Sequence, residues 1–359
     1  MEHDNNNTPR TPAQYVRLFF TGVAMGSADI VPGVSGGTMA FILGVYAELI
    51  NAIKSFNIDL IRLILKGDFK GAAEHVPWKF LVALLGGIAA AIVTLVTGLE
   101  FALENYPVYL FSFFTGLIIA SIIAVGANVR WNSTAIISLV IATVVAFLIV
   151  GLRPRDVPNT PIIMFFSGAI AICAMILPGV SGSFLLLVLG QYEHVIGSVR
   201  GLISFEDIGA NLITVVSVGL GCVVGIILFS RFLSWLLRRF ENNTVAALVG
   251  FMVGSLRIIY PFKGPILDGE DVVLTYVNTE GVEVAVTRNV LPWVAQHTEH
   301  LEEIIPLTGG EVAIALGLML FGFVVVSFLD HLQSRNNPVF RPIMGGKKTE
   351  DAQPVPSGD

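Results

Sequence analysis

The sequence predicts an all-α polytopic membrane protein built from two related halves, and three observations support this fold class. Of the 359 residues, 54% are hydrophobic and only 13% are charged, whereas about a quarter of the residues of an average soluble domain are charged. Apolar stretches near the ~20 residues that cross a hydrocarbon core recur along the chain. The pentapeptide Pro-Gly-Val-Ser-Gly occurs twice, at residues 32–36 and 178–182, each time inside an apolar segment.

An internal repeat relates the two halves. At an offset of 146, residues 19–53 match residues 165–199 with 14 identities in 35 positions, and a weaker match at an offset of 134 aligns Ser121 with Ser255. The apolar stretches that follow correspond in order: 80–98 with 212–230, 108–127 with 245–260, and 134–151 with 311–330. Each half is therefore predicted to contain one motif segment and three transmembrane helices, over residues 16–151 and 162–335.

The motif segments differ from ordinary transmembrane helices. The Pro-Gly-Val-Ser-Gly sequence ends one helix, and the apolar run from Thr38 or Ser183 starts another, which leaves arms of about 15 residues. This pattern predicts a re-entrant helical hairpin, and a pair of short spanning helices fits it equally. In both cases the segment enters and leaves on one face. Three transmembrane helices between the two hairpins then place them on opposite faces, so the repeat is inverted.

The distribution of basic residues gives an independent prediction of topology. With the N-terminus in the cytoplasm, fifteen of the 21 Lys and Arg residues fall in cytoplasmic segments and five on the opposite face. Arg257 falls inside a predicted transmembrane helix. This bias follows the positive-inside rule and predicts that both termini are cytoplasmic.

The regions outside the two repeats are polar. Residues 1–15 form a polar N-terminal segment, and residues 261–310 form an external loop in which 272–277 and 282–286 flank a turn like a small β-hairpin. Residues 336–359 are rich in Pro, Gly and charge, which predicts a disordered cytoplasmic tail.

Each motif break exposes backbone polar groups at membrane depth, which is tolerated where they line a polar cavity. Broken helices in inverted repeats direct their N-termini at anionic groups near the midplane. Glycines allow close approach of a ligand, and hydroxyls add donors. The predicted anion site comprises Gly33, Ser35, Gly36, Gly37, Thr38, Gly179, Ser181, Gly182 and Ser183. The alternative is that the turns merely cap short helices and permit tight packing; two inverted copies favour the ligand site.

Arg257 is the candidate for the missing positive charge. A centrally placed Arg costs ~2.5 to 3.5 kcal/mol on insertion scales, and such residues usually face a cavity and a partner. The alternative is that Arg257, close to Tyr260 and Pro261, extends to the external interface.

Asp29 breaks the symmetry of the repeat, because its counterpart is Met175. A titratable residue present in one copy only fits a site that couples transport to a proton or a cation such as sodium. A helix N-cap and a salt bridge to Arg257 fit the same position.

The sequence leaves two other functions open. Residues 33–37 fit the Gly-x-Ser-x-Gly pattern and the shorter Gly-x-Ser-Gly of intramembrane serine proteases. A nucleophilic serine needs a base within hydrogen-bond reach, and none of the six histidines lies in the middle of a predicted transmembrane helix. We therefore expect no enzyme, no cofactor and no metal. A transporter or channel for a small soluble anion is the second alternative.

Residues 28–38, Ala-Asp-Ile-Val-Pro-Gly-Val-Ser-Gly-Gly-Thr, together with the second motif at 178–182, resemble the PopT-type polyprenyl-phosphate transporters. The resemblance spans residues 15 to 335. It implies the return of undecaprenyl phosphate, the lipid carrier of peptidoglycan and surface-glycan synthesis, from the outer to the inner leaflet of the bacterial plasma (inner) membrane. The implied partners are the polyprenyl-phosphate lipid and membrane lipids, without nucleic acid and with an oligomer left open.

Together these considerations give a mechanistic hypothesis. The phosphate binds between the two breaks, Arg257 neutralises part of its charge, and rocking of the two halves exposes the site to each leaflet in turn.

Overall fold

The computed structural model is helical, apart from three two-stranded sheets that precede the last long helix. The structure describes residues 11–30, 36–152, 157–179, 181–266, 275–277, 283–285, 287–299, 303–334 and 337–344.

Within the described residues, the helices of the two halves follow the same order. The first half contains α1 (Pro12–Ile30), α2 (Gly36–Ile42), α3 (Tyr46–Lys54), α4 (Ile58–Leu65), α5 (Phe69–His75), α6 (Trp78–Asn105), α7 (Pro107–Gly126) and α8 (Ser133–Ile149). The second half contains α9 (Pro161–Ile176), α10 (Gly182–Val188), α11 (Tyr192–Ile203), α12 (Ile208–Arg239), α13 (Glu241–Ile259) and α14 (Gly309–Ser334), and the short α15 (Arg341–Met344) follows. Only α4 and α5 have no counterpart.

Five of these helices, α6, α7, α12, α13 and α14, are long and apolar enough to cross a membrane. Helices α8 and α9 are apolar but shorter, with 17 and 16 residues. The predicted polytopic membrane fold is confirmed, although α8 is shorter than the full transmembrane helix that we predicted.

The motif segments have unequal arms. Helices α1 and α9 contain 19 and 16 residues, whereas α2 and α10 contain seven each. The short helices begin at Gly36 and Gly182, two residues and one residue before the predicted starts. They end at Ile42 and Val188, two residues before Gly44 and Gly190, whose φ values of 72° and 67° lie in the left-handed region that favours glycine. The prediction of two arms of about 15 residues was therefore wrong for the second arm, which continues after this turn as α3 or α11.

The long helices pack in four principal pairs. Helix α1 packs on α6 and α9 packs on α12, each within its own half. Helix α7 packs on α14 and α13 packs on α8, so the last long helix of each half lies against the other half. The halves are thus interlocked through α8 and α14.

Glycines permit the closest of these helix contacts. A Cβ at Gly22 in α1 would collide with the Leu84 carbonyl of α6, and a Cβ at Gly168 in α9 would collide with the Val218 carbonyl of α12. Gly22 and Gly168 are 146 residues apart, the offset of the sequence repeat. The two halves therefore repeat a helix contact and not only a motif.

The described residues between α13 and α14 include six short strands in antiparallel pairs. They are β1 (Lys263–Pro265), β2 (Thr275–Val277), β3 (Glu283–Ala285), β4 (Thr287–Asn289), β5 (Gln296–Glu299) and β6 (Glu303–Pro306). Strand β2 pairs with β3, with Tyr276 opposite Val284, as the predicted hairpin requires. The pairs β1–β4 and β5–β6 were not predicted.

Residues 337–344, which belong to the predicted disordered tail, lie beside α14. The Asn337 side chain is buried and donates a 2.7 Å hydrogen bond to Asp330, and the Phe340 ring packs on Phe328. These contacts hold residues 337–344 against α14. The prediction for the rest of the tail lies outside the described residues.

Candidate functional site

A hydrogen bond joins the two motif segments in the interior of the protein. The Gly179 amide, in the second break, donates to Thr38 Oγ1 in α2 over 2.8 Å. Both residues are buried, and they are 141 positions apart in the chain. The structure therefore brings together two of the predicted site residues, one from each half.

A second polar contact, from Tyr46, supports this junction. The Tyr46 hydroxyl donates a 3.0 Å hydrogen bond to the Ile176 carbonyl, at the end of α9. Tyr46 is buried, so this hydroxyl satisfies an unpaired carbonyl where the helix stops. Tyr46 is not among the predicted site residues. The available signal was the repeated Leu-Gly-x-Tyr that follows each motif.

Gly179 also holds the second break against α13. Its φ of 87° is left-handed, and a Cβ there would lie 2.8 Å from the Phe251 carbonyl oxygen and 2.9 Å from Ser255 Oγ. The Ser255 hydroxyl donates to the Met252 carbonyl over 2.8 Å. Glycine is therefore required here both by backbone conformation and by the close approach of α13.

The hydroxyls of the second motif contact each other. Ser181 Oγ lies 2.8 Å from Ser183 Oγ and accepts a 3.5 Å hydrogen bond from the Phe184 amide, so Ser181 is the N-cap of α10. Gly182 lies against α9, where a Cβ would be 2.6 Å from the Ala171 carbonyl oxygen. Ser181 is buried and Ser183 is exposed.

The start of α2 is capped by an acidic side chain instead. Asp29 Oδ1 accepts a 2.7 Å hydrogen bond from the Gly36 amide. A carboxylate is favourable at a helix N-terminus because of the helix dipole. The N-cap interpretation of Asp29 therefore describes its contact in the structure, and the counterpart Met175 offers no such group. The N-termini of α2 and α10 are therefore capped by different side chains, Asp29 and Ser181.

The remaining residues of the first motif are placed as follows. Gly37 is buried and lines, together with Asp29, an apolar cavity of about 820 Å³. Gly33 and Ser35 lie outside the described residues.

The structure places Arg257 at the end of α8. Its Nη1 donates a 2.8 Å hydrogen bond to the Phe147 carbonyl, and its guanidinium carbon lies 4.2 Å from the centroid of the Phe147 ring. Such a cation–π contact and a helix C-terminal carbonyl both stabilise positive charge. The guanidinium is therefore not brought against the Thr38–Gly179 junction.

The segment between α13 and α14 is tied to the same point. Lys263 Nζ donates to the Arg257 carbonyl over 3.2 Å and to the Asn289 side-chain oxygen, and Asn289 donates to that carbonyl over 2.8 Å. Burial and, second, the charge of Arg257 lower the pKa of Lys263 to about 8. Two positive charges therefore lie close together at this end of α13.

The junction offers amide and hydroxyl groups in a buried, apolar surrounding. Among the described residues there is no group of three or more His, Cys, Asp or Glu side chains that would hold a metal ion. Neutral donors of this kind bind oxygens of an anion.

Comparison with known proteins identifies the family. The family described as VCA0040-like, undecaprenyl phosphate translocase-like, matches residues 25–271. The chain belongs to this family. It is 38% identical over 282 residues to a polyprenyl-phosphate transporter of Vibrio cholerae, covering 78% of this chain and 86% of the relative. It is 30% identical over 253 residues to a polyprenyl-phosphate transporter of Staphylococcus aureus, covering 67% and 84%. No solved structure matches.

Membership of the undecaprenyl phosphate translocase-like family confirms the resemblance seen in the motifs. The family is one of multi-pass membrane transporters, and the protein is not an enzyme. The serine-protease alternative is therefore wrong.

Proposed function

We propose that the protein moves undecaprenyl phosphate, or a closely related polyprenyl phosphate, from the outer to the inner leaflet of the bacterial plasma membrane. This returns the lipid carrier for peptidoglycan and surface-glycan synthesis. The substrate class is that of the two relatives, and the direction is the one that such recycling requires.

The observation that carries the proposal is the hydrogen bond from the Gly179 amide to Thr38 Oγ1. It joins the two breaks at one buried point, where a single phosphate can contact donors from both halves. Ser181 adds a hydroxyl beside this junction, and Gly36 adds an amide that Asp29 now occupies. We propose that the phosphate binds at these groups, together with Gly33, Ser35, Gly37, Gly182 and Ser183.

In this proposal, the transport cycle depends on an exchange of hydrogen-bond partners. An arriving phosphate competes with Thr38 for the Gly179 amide and with Asp29 for the Gly36 amide, because one donor cannot fully satisfy two acceptors. Asp29 released from Gly36 then takes up the coupling ion, a proton or sodium. Arg257 contributes its charge after leaving the Phe147 carbonyl, which requires movement of α13 against α8.

The interlocked halves suit alternating access. Helices α7 and α13 pack on each other, and each also packs on the last long helix of the other half. Rocking of one half against the other would open the junction to one leaflet at a time. The inverted arrangement of the halves and the cytoplasmic position of both termini belong to this proposal.

Reconstituted proteoliposomes provide the test. Polyprenyl phosphate is placed in one leaflet, and its arrival in the other is followed by its accessibility to an added membrane-impermeant phosphatase. We expect movement that depends on the protein and that inorganic phosphate inhibits poorly. No movement above protein-free vesicles contradicts the proposal, and equal transport of inorganic phosphate establishes a small-anion transporter instead.

A further inference from the structure

Three basic side chains converge where α3 meets α12, away from the motif junction. Lys54 is in the last turn of α3, and its Nζ lies 3.5 Å from Ser234 Oγ in α12. Arg231, Ser234 and Arg238 are spaced i, i+3 and i+7, which places them on one face of α12. We call Lys54, Arg231 and Arg238 the basic cluster. It combines residues from both halves of the protein.

The cluster is unbalanced in charge. The pKa of Lys54 is lowered by burial and then by the charges of Arg238 and Arg231. Within the described part of the chain, none of the three forms an ion pair. Like charges held together cost free energy that an anion placed among them would recover.

A topogenic role alone does not explain this convergence. Basic residues on the cytoplasmic side orient a membrane protein wherever they point. The neighbouring Arg239 illustrates this, since its guanidinium lies over the Phe240 ring, 6.0 Å from the centroid, outside the cluster.

The basic cluster adjoins the apolar cavity of about 820 Å³ without lining it. Ile53 and Phe56 line this cavity on either side of Lys54 in sequence, and Ile227 lines it one turn before Arg231. Asp29 and Gly37 at the first motif also line the cavity. The cavity is bounded by α1, α2, α3, α6, α9 and α12 and lined almost wholly by apolar side chains. This apolar lining, with the positive charges that adjoin it, suits a molecule with an anionic head and a long apolar chain.

We propose that the basic cluster and this cavity form a second binding site for polyprenyl phosphate, on the inner-leaflet side of the motif junction. The phosphate contacts Lys54, Arg231 and Arg238, and the first prenyl units lie in the cavity. The identity of the lipid rests on the proposed function. A phosphate monoester carries a charge of about −1.5 to −2 at pH 7, which matches three cations better than the single charge of a phosphodiester lipid.

Two sets of variants test the site. Lys54→Gln combined with Arg231→Gln and Arg238→Gln removes the cluster, and Arg239→Gln is the matched control. Gly86→Leu fills the cavity, because Gly86 lines it and the atom nearest to a Cβ there is 4.0 Å away. Gly98→Leu is its control, since Gly98 lies in the same helix with no atom within 4 Å of a Cβ.

Binding is measured with purified protein in nanodiscs of phosphatidylcholine, titrated with polyprenyl phosphate and analysed by native mass spectrometry. We expect affinity at least about tenfold lower for the triple variant, which loses the charge-assisted contacts, and for Gly86→Leu, whose side chain takes the space of the first prenyl units. Both controls should remain within about twofold of the parent. The triple variant should unfold at no lower temperature than Arg239→Gln, because removing like charges relieves repulsion.

Three competitors identify the ligand chemistry. The prenol without phosphate and inorganic phosphate should each compete weakly, because each offers only half of the required contacts. Phosphatidylglycerol that displaces the lipid as well as polyprenyl phosphate does would overturn the proposal in favour of a general anionic-lipid site. Parent-like binding by the triple variant, or equal loss in Gly86→Leu and Gly98→Leu, would also overturn it.

The binding measurement separates this inference from the proposed function, because it requires no movement between leaflets. If the protein moves no lipid but its binding of polyprenyl phosphate depends on the cluster, the proposed transport is refuted and the proposed binding site is supported. Transport by the parent protein, with unchanged binding and transport by the triple variant, would refute the site alone.

Discussion

The Gly179 amide donates a 2.8 Å hydrogen bond to Thr38 Oγ1, although the two residues belong to different halves of the chain. Both lie in broken helices that carry the same pentapeptide. A helix break at membrane depth needs partners for its freed backbone groups, and here one half supplies the partner for the other. The two motifs therefore act as one structural unit.

Thr38→Val should weaken this unit. Valine keeps the shape of threonine but removes the acceptor, and a buried unsatisfied amide costs about 1–3 kcal/mol. We expect a lower unfolding temperature in detergent and slower lipid movement. Thr21→Val is the control, because the Thr21 hydroxyl donates only to the Arg17 carbonyl within α1. Equal effects of the two substitutions would contradict a special role for the junction.

Gly179→Ala should be more damaging. The substitution costs about 1–2 kcal/mol for the left-handed backbone, and the new Cβ would crowd the Phe251 carbonyl and Ser255. We expect a loss of at least about 2 kcal/mol in the free energy of unfolding. Gly219 is exposed in α12, and no atom lies within 4 Å of a Cβ at this position, so Gly219→Ala should not lower the free energy of unfolding. Native-like stability of Gly179→Ala would show that α13 moves away freely.

Asp29→Asn tests ion coupling separately from capping. The asparagine side-chain oxygen still accepts from the Gly36 amide, so α2 should remain capped and the protein folded. We expect the dependence of transport on pH or sodium to disappear, because the side chain no longer exchanges a charge. Transport by Asp29→Asn with unchanged ion dependence would exclude Asp29 as the coupling residue.

Tyr46→Phe should loosen the contact between the hairpins. It leaves the Ile176 carbonyl at the end of α9 without its donor, at a cost of about 1–3 kcal/mol. The control is Tyr192→Phe at the equivalent position of the repeat, where the hydroxyl has no hydrogen-bond partner among the described residues. Unfolding temperatures of the two variants should differ, and equal values would argue against the Tyr46 bridge.

Lys263 should titrate near pH 8. Its folded pKa lies below the ordinary value of 10.5, so between these values the unfolded chain binds more protons and stability rises as pH rises. Acylation of the amine, followed by mass spectrometry, should show a half-point near pH 8. Arg257→Gln should move it upward by removing a nearby positive charge. A half-point near 10.5 in the parent protein would contradict this.

The sequence allowed the broken helices to be predicted because Pro and Gly interrupt long apolar runs at equivalent positions of the repeat. It also indicated the β2–β3 hairpin from two short runs, 272–277 and 282–286, that flank a turn. The split of the second arm was missed, since Gly44 and Gly190 act through a left-handed backbone conformation that apolar composition conceals. Their presence at the same position in both copies was the signal.

The partners of the site residues were harder to predict. Asp29 had three interpretations, and its contact with the Gly36 amide depends on how α1 and α2 are placed relative to each other. The contact between Thr38 and Gly179 depends on how the halves meet, which no local pattern encodes. Arg257 was weighed between the site and the interface, and its position beside Phe147 follows from the packing of α13 on α8.

The most direct test of the central claim is lipid movement in proteoliposomes by the parent protein and by the double variant Thr38→Val, Ser181→Ala. The two substitutions leave the charge of the protein unchanged, and each removes one hydroxyl from one half of the junction. We predict transport at least about tenfold slower in the double variant, provided that its thermal unfolding shows a folded protein. Movement at the parent rate by a folded double variant would contradict the assignment of the phosphate site to the two motifs.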